Sequence, residues 1–484
     1  LFSRRILTGL VLVALFSGLL LVRLDVFSPS DGTEPSAPFK TLQKPSQSWM
    51  TIYQKGRRIG VASRQFTAFD GGSISREQVR LQLSTLGVTQ ILNLSSEMQF
   101  GPDNALSSFD VHITSGLFRF QARGLIAPGL LVVFAGVPGS LKKSEIAIEE
   151  APLLSGNLYE AAYLAGLEKD GQKKFPVFDP STLGMRDVLV RRKADEVISV
   201  LGKRILTRKY CADFMGASHC AWLSAEGEVL KETGILGLSM EKADPSAAQA
   251  GFSSEGVDFT QIASIPADVP IDNPQALRRL VVKIDSATQK LPDIHGGRQS
   301  LSSEGRLTIL REDSLSDRRF VSEAPAIFLS ASPLVQSNHP KIRAQAAKIV
   351  DASDKPSEKL SKIVAWVYKT LRKQPVLSVP NALEVLNHKV GDCNEHAVLT
   401  AALLRAADIP ARLETGLIYL DGRFYYHAWN SAYIGSWITV DSVFNQIPAD
   451  VTHIRLALGE GPQQLDLLGI MGNIQLEVVE TSYD

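Results

Sequence analysis

Val390-Gly391-Asp392-Cys393-Asn394-Glu395-His396-Ala397 opens an apolar run that continues from Val398 to Ala406 and stops before Pro410. Asp392 followed three residues later by Glu395 is a capping-box pattern, with Asp in the place of the usual Ser or Thr. A helix is therefore predicted to start here, with Cys393 in its first turn. Unpaired amides and the positive end of the helix dipole stabilise a thiolate at that position and can bring a thiol pKa from about 8.5 into the range of roughly 3.5 to 7.5. A lone cysteine more commonly just packs, so the flanking sequence has to decide between an inert thiol and a nucleophile.

Downstream, Ala411 to Leu420 reads as a strand, Asp421-Gly422 as a tight turn, Arg423 to Tyr433 as the partner strand, and Trp437 to Asp441 as a third. His427 lies 427 − 393 = 34 residues after the cysteine, and Asp441 follows it by 441 − 427 = 14. A cysteine at a helix start, a histidine on one strand and an aspartate on the next supply a thiol, a base and a group that orients the base. The arrangement makes a geometric demand, because His427 and Asp441 share a face only if paired positions on the two strands sum to an even number. A plain two-residue Gly435-Ser436 turn would pair Ile434 with Trp437, an odd sum. A three-residue connection or a β-bulge around Tyr433 to Ser436 is therefore predicted. Upstream, apolar spacing predicts helices over Lys341 to Val350 and Glu358 to Leu371, and a short one over Asn381 to Asn387.

Taken together, Gly391-Asp392-Cys393-Asn394-Glu395-His396-Ala397, Ile409-Pro410-Ala411-Arg412, Tyr426-His427-Ala428-Trp429 and Trp437-Ile438-Thr439-Val440-Asp441 resemble the bacterial branch of the transglutaminase-like superfamily, whose core belongs with the papain-like cysteine enzymes. The resemblance spans roughly Pro333 to His453, about a quarter of the chain. In that family the aspartate is often followed by proline and a small hydroxyl residue, whereas Ser442-Val443 follows here. The resemblance implies that Cys393 attacks an amide or peptide carbonyl to form a thioester, with His427 handling the thiol proton and Asp441 orienting the ring. The Cys393 backbone amide would be one oxyanion donor, and no metal or organic cofactor is needed. Trp429 and Asn445 are candidate substrate-binding residues, with sheet packing as the alternative for Trp429 and also for Trp437. Gln446 reads as a further lining residue, Arg412 as an ion-pair partner or a substrate clamp, and His396 as a packed helix residue in preference to a second base.

The remaining sequence surrounds this domain with two others. Ile6 to Val22 is an uncharged run of 17 residues preceded by Arg4 and Arg5, which reads as a single-pass signal-anchor, with a cleavable or twin-arginine signal as alternatives. The bulk of the chain is then expected outside the inner membrane, in the periplasm or its equivalent. Residues 24–47, with four prolines, read as a tether. Residues 48–260 alternate apolar and polar positions in short runs such as Gln78 to Leu86, Ser108 to Ile113 and Leu117 to Ala122, the pattern of antiparallel sheet with one wet face. Residues 261–332 form a smaller β-rich unit with strands around Leu280 to Ile284 and Arg306 to Leu310, and 333–484 the transglutaminase-like domain. The fold class is thus α+β. Cys211 and Cys220 flank a predicted hairpin loop and either pair or stay reduced; a metal site with His219 lacks a fourth ligand. With 51 basic and 51 acidic residues the chain has no net field to draw in nucleic acid. The expected partner is a protein or peptide substrate in the cell envelope. The competing reading is a non-catalytic envelope scaffold acting through its β-rich region.

Overall fold

A computed structural model describes residues 46–483, apart from 86, 215–216, 251–257, 259–263, 287–293, 313–325, 377–378 and 461–473. The membrane helix expected at 6–22 lies outside the described residues; among those described, no helix is long and apolar enough to cross a membrane. Ser46 and Gln47, read as the end of the tether, already belong to the first strand, Ser46–Gln54.

The alternation that begins at Trp49 builds one sixteen-stranded sheet. Its first half is an antiparallel meander running strand by strand from Ser46–Gln54 to Ser140–Ala147. The first strand is also bonded on its other side to Leu238–Lys242, from which the sheet continues through Val229–Thr233, Ala217–Leu223 and Lys203–Phe214 to Gly184–Arg192 and Gln172–Asp179. The strands outrun their apolar signal. Gly72–Thr85 pairs along its whole length with Val88–Phe100, although Ser73, Ser75, Arg76 and Glu77 carry no hydrophobic pattern, because ladder hydrogen bonds extend wherever the neighbouring strand does. Cys211 and Cys220 face each other across the Lys203–Phe214/Ala217–Leu223 hairpin and form a disulfide, with Cα atoms 4.1 Å apart. The dry face gathers Met98, Phe109, Phe120, Leu131 and Val133 against Leu154 and Phe178. Further along, the helix Leu158–Leu164 inserts Leu158, Tyr159 and Ala162 against Val177, Val188, Val190 and Tyr210.

In the C-terminal region the helix Cys393–Ala406 is the centre of packing. Val398, Leu399, Ala401, Ala402, Leu403 and Leu404 are all buried, so the helix is apolar nearly all round, as a helix covered on every side must be. The helix Pro356–Thr370 covers one side with Leu360, Ile363, Val364 and Val367. Pro340–Ile349 and Ala382–His388 complete the helical layer, and Ala411, Leu413, Ala428 and Ala432 of the hairpin Ala411–Leu420/Arg423–Tyr433 form the opposite wall. Toward its turn the hairpin meets a second core, in which Leu417, Tyr419 and Phe424 pack on Leu280, Val282, Leu307 and Ile309. Those residues belong to a four-stranded sheet whose outer strand is Ile474–Ser482, paired antiparallel with Arg279–Ser286. The 332/333 boundary drawn from sequence is therefore bridged by a shared sheet and a shared core. The large sheet touches the same region through Phe118 in the helical core and through the Arg119 backbone N–H, which donates to the Glu384 carboxylate at 3.2 Å.

Candidate active site

Cys393 is positioned by three local devices. The preceding residues Val390–Gly391 pair in parallel with Arg372–Lys373, and the Gln374 N–H donates to the Gly391 carbonyl at 3.1 Å. The capping box then forms as read: the Asp392 carboxylate accepts from the Asn394 N–H at 3.1 Å, and the Glu395 carboxylate from the Asp392 N–H at 3.0 Å. Two ties lock the helix to the sheet, Asn430 Nδ2 donating to the Ala397 carbonyl at 3.0 Å and the Thr400 hydroxyl to the Ser442 hydroxyl at 2.8 Å. Ser442, the departure from the family pattern, thus has a local use. Gly391 is required by close approach, because a Cβ there would lie 2.2 Å from the Glu395 Cβ. Gly391→Ala is accordingly expected to push Glu395 out of the cap and to cost about 1–3 kcal/mol. The urea midpoint reads that loss, and the Cys393 alkylation rate reads displacement of the thiol.

The hairpin meets the parity demand. Tyr433 lies opposite Trp437 and Asn430 opposite Val440, an even sum in both cases (433 + 437 = 870), with Ile434, Gly435 and Ser436 as a three-residue connection. Gly435 takes φ 101°, a region that favours glycine. His427 and Asp441 therefore share a face, and His427 Nε2 stands 2.7 Å from Asp441 Oδ2. The other carboxylate oxygen accepts from the Val443 N–H at 2.6 Å and the Phe444 N–H at 3.3 Å. Ala428, the strand residue next to His427, is the backbone group whose N–H favours the Cys393 thiolate over the thiol.

A fourth residue, His453, was not read from the sequence. It is completely buried, with Nε2 2.9 Å from the same Asp441 Oδ2 and Nδ1 3.1 Å from the Asp450 carbonyl and 3.3 Å from its carboxylate. Asp450 sits in a tight turn, its carboxylate accepting from the Thr452 N–H and hydroxyl and from Gln446 Nε2. The signal available was Asp450-Val451-Thr452-His453 just ahead of the strand Ile454–Leu458, an Asx turn delivering a histidine to a strand start. His427, Asp441 and His453 could also be viewed as a metal cluster, since their ligand atoms lie within 4.8 Å of one another. Separations of 2.7 and 2.9 Å fit donor–acceptor pairs, whereas ligands about 2.0–2.1 Å from a tetrahedral ion stand roughly 3.3 Å apart.

The electrostatics overturn one expectation. Burial pushes the Cys393 thiol well above its ordinary value, the charges of Asp392, Glu395 and Asp441 push it further, and the Ala428 N–H opposes them. The helix dipole was expected to depress it. However, the capping box that starts the helix also places two carboxylates at its positive end. For Asp441, burial works against ionisation, but its contacts with the His427 and His453 imidazoles outweigh it and hold the carboxyl far below the usual range. Burial likewise disfavours charge on His453, yet its bonds to Asp441 and Asp450 push it up to about 9. A value above the roughly 6.5 of an unfolded histidine means stabilisation fully present below about pH 6.5 and lost as pH rises through 9. Asp441 and Asp450, both held low, have the opposite sign, contributing above about pH 4 and losing that contribution on acidification. Urea unfolding between pH 6 and 10 is expected to show a decline on the order of 3 kcal/mol, and a flat profile would contradict the assignment.

The other candidate residues separate clearly. Trp429 is 1% exposed, stacks beside His427 with ring centroids 6.0 Å apart, and donates to Glu414 at 3.0 Å, so it is packed within the sheet. Asn445 is an exposed turn residue at φ 54°. A cavity of about 430 Å³ is instead lined by its neighbours Phe444 and Gln446, with Ile271, Ile418 and Tyr419, and the Phe444 ring stands 5.5 Å from that of His427. His396 is buried, with Nδ1 2.6 Å from the Asp392 carbonyl. Arg412 donates to the Ser431 hydroxyl and lies 4.1 Å over the Trp437 ring, in a second cavity of about 450 Å³.

Residues 343–442 match the model of the transglutaminase-like superfamily. Among solved structures, a candidate cysteine protease from Cytophaga hutchinsonii is similar at 18% identity and TM-score 0.29, covering 45% of this chain and 81% of its own. The periplasmic domain of TgpA from Pseudomonas aeruginosa, solved bound to ethylmercury, is similar at 16% identity and TM-score 0.27, covering 38% and 89%. No curated protein matches the chain.

Proposed function

We propose that this chain, which carries a transglutaminase-like domain at residues 343–442, is a membrane-anchored, extracytoplasmic cysteine acyl-transfer enzyme acting on protein or peptide amides in the cell envelope. One observation carries the chemistry: Cys393 opens the helix that is tied to the hairpin bearing His427, whose Nε2 stands 2.7 Å from Asp441. With Nε2 committed to Asp441, Nδ1 is the ring nitrogen left for the thiol. His427 Nδ1 takes the thiol proton as sulfur bonds to the carbonyl carbon, and the C–N bond breaks as that proton passes to the leaving amine. A thioester remains on Cys393. Water, deprotonated by His427, then attacks the thioester and releases the acid and the thiol.

The Cys393 N–H, at the first helical position, has no partner within the helix and is free to meet the oxyanion. The cavity beside Phe444, lined by apolar Ile271, Ile418 and Tyr419 and by polar Asn273, Gln446 and Asp450, is the proposed place for part of a substrate. Hydrolysis is favoured over cross-linking because water needs no dedicated acceptor site. The extracytoplasmic setting is supported by the Arg4-Arg5 flank of the apolar run Ile6 to Val22 and by the Cys211–Cys220 disulfide, which suits an oxidising compartment. The test is mass spectrometry of the full-length protein quenched in acid after incubation with a glutaminyl-glycine peptide and with unfolded casein. A hydroxylamine-labile acyl adduct on Cys393 is expected, and its absence with both, alongside unreactive Cys393, would favour the scaffold reading.

A further inference from the structure

The four-residue chain His427–Asp441–His453–Asp450 assigns protons by hydrogen-bond geometry alone. Asp441 Oδ1 takes two backbone N–H groups, and Oδ2 stands within bonding distance of two imidazole nitrogens. Two backbone N–H groups fix Oδ1 as an acceptor, and an ionised carboxylate is acceptor-only, so both Nε2 atoms facing Oδ2 carry hydrogen. On its other side, His453 Nδ1 faces the Asp450 carbonyl oxygen at 3.1 Å and the Asp450 carboxylate at 3.3 Å. The first has no proton to give, and the second already accepts from Thr452 and Gln446. Nδ1 therefore donates as well. A neutral imidazole has one N–H, so a ring with acceptors at both nitrogens is an imidazolium.

From this we infer that His453 is a standing cation that shares Asp441 with His427, and that by countering this carboxylate it keeps His427 a neutral base and the Cys393–His427 pair uncharged at rest. The inference rests on the proposed role of Cys393 and His427 and adds a positioning residue to it. Two imidazolium rings 5.7 Å apart, sharing one carboxylate oxygen, would repel each other, so one ring holds the resting proton. His453 has two carboxylates within reach and His427 has one. The remaining charged group at His453 is Arg298, which donates to the His453 carbonyl at 3.2 Å and pairs with Glu312 at 3.6 Å. Around the thiol stand Asp392, Glu395, Asp441 and the Tyr426 hydroxyl, none of them cationic, in keeping with a neutral thiol. The cysteine is then activated only during attack, when His427 Nδ1 takes its proton, and no thiolate waits in the resting enzyme.

The test uses the full-length protein. Iodoacetamide alkylation of Cys393 is followed against pH in wild type, His453→Gln and Asp450→Asn. Gln can still donate to Asp441 but brings no charge, so the His427 imidazolium gains the whole carboxylate, and the alkylation midpoint is expected to fall by about one pH unit or more, roughly tenfold faster at pH 7. Asp450→Asn should move it the same way by less. An unchanged or raised midpoint in folded His453→Gln overturns the inference. If that variant does not fold, nitrogen shifts of histidine-labelled wild type decide: one ring doubly protonated at pH 8 is required, and its absence is fatal. Loss of the parent reading looks different, since Cys393→Ala would then leave amide turnover intact while the doubly protonated ring persists.

Discussion

Cys393→Ala is expected to abolish amide turnover, by a factor on the order of 10⁴–10⁶, while leaving stability within about 1 kcal/mol of wild type. The two halves of that expectation have separate causes. The thiol is the atom proposed to bond to the carbonyl carbon, so its removal closes the covalent route. The backbone, in contrast, hardly feels the change, because alanine is the best helix former and the cap is made by Asp392 and Glu395. Turnover of the casein and peptide substrates, measured with the urea midpoint, checks both. Turnover retained at more than a hundredth of wild type would remove Cys393 from the chemistry.

Asp441→Asn should be costly in both respects. The carboxylate accepts four hydrogen bonds, two from backbone N–H groups and two from imidazoles. An asparagine of the same shape offers one oxygen and turns an NH₂ group toward donors, so at least one pair of hydrogens confronts another. The His453 cation loses one of its two counter-charges in a completely buried site, a change of the kind that costs about 3–5 kcal/mol. Catalysis suffers independently, since a ring no longer held as the Nε2–H tautomer cannot present Nδ1 as the base. The comparable change in a serine triad lowers turnover about 10⁴-fold. Urea melts and amide turnover on one preparation separate the effects. A variant as stable as wild type would mean that His453 is neutral.

The geometry of the candidate site was legible because each part has a local signature. The capping box fixed where the helix starts, and face parity along the strands turned the spacing of His427 and Asp441 into a demand on the turn that the Ile434-Gly435-Ser436 connection meets. Long-range facts had no such signature. His453 reaches Asp441 from a loop 453 − 441 = 12 residues on, and only the tertiary fold shows that it shares an oxygen with His427. For Trp429 the buried, sheet-packed alternative describes its position, a choice left open because strand periodicity gives a side chain's face without saying which face is covered. The thiol's electrostatics were misjudged for a related reason, since dipole and cap carboxylates act at the same helix end with opposite sign. In the β-rich half, alternation gave strand existence, but not the lengths of wet strands or the way the chain returns to pair Leu238–Lys242 with Ser46–Gln54.

The antiparallel partner of Arg279–Ser286 is Ile474–Ser482, a separation of 482 − 279 = 203 residues at one end of the ladder and 474 − 286 = 188 at the other. A contact of that range is among the slowest to close, and it can be made only after nearly the whole described chain has been synthesised. The hairpin bearing His427 rests its turn end on the core that this strand seals. Base and thiol are thus brought into final register as a late event in biogenesis. A chain synthesised only as far as Asp441 would carry Cys393, His427 and Asp441 and still lack the strand Ile474–Ser482 that closes the core beneath them.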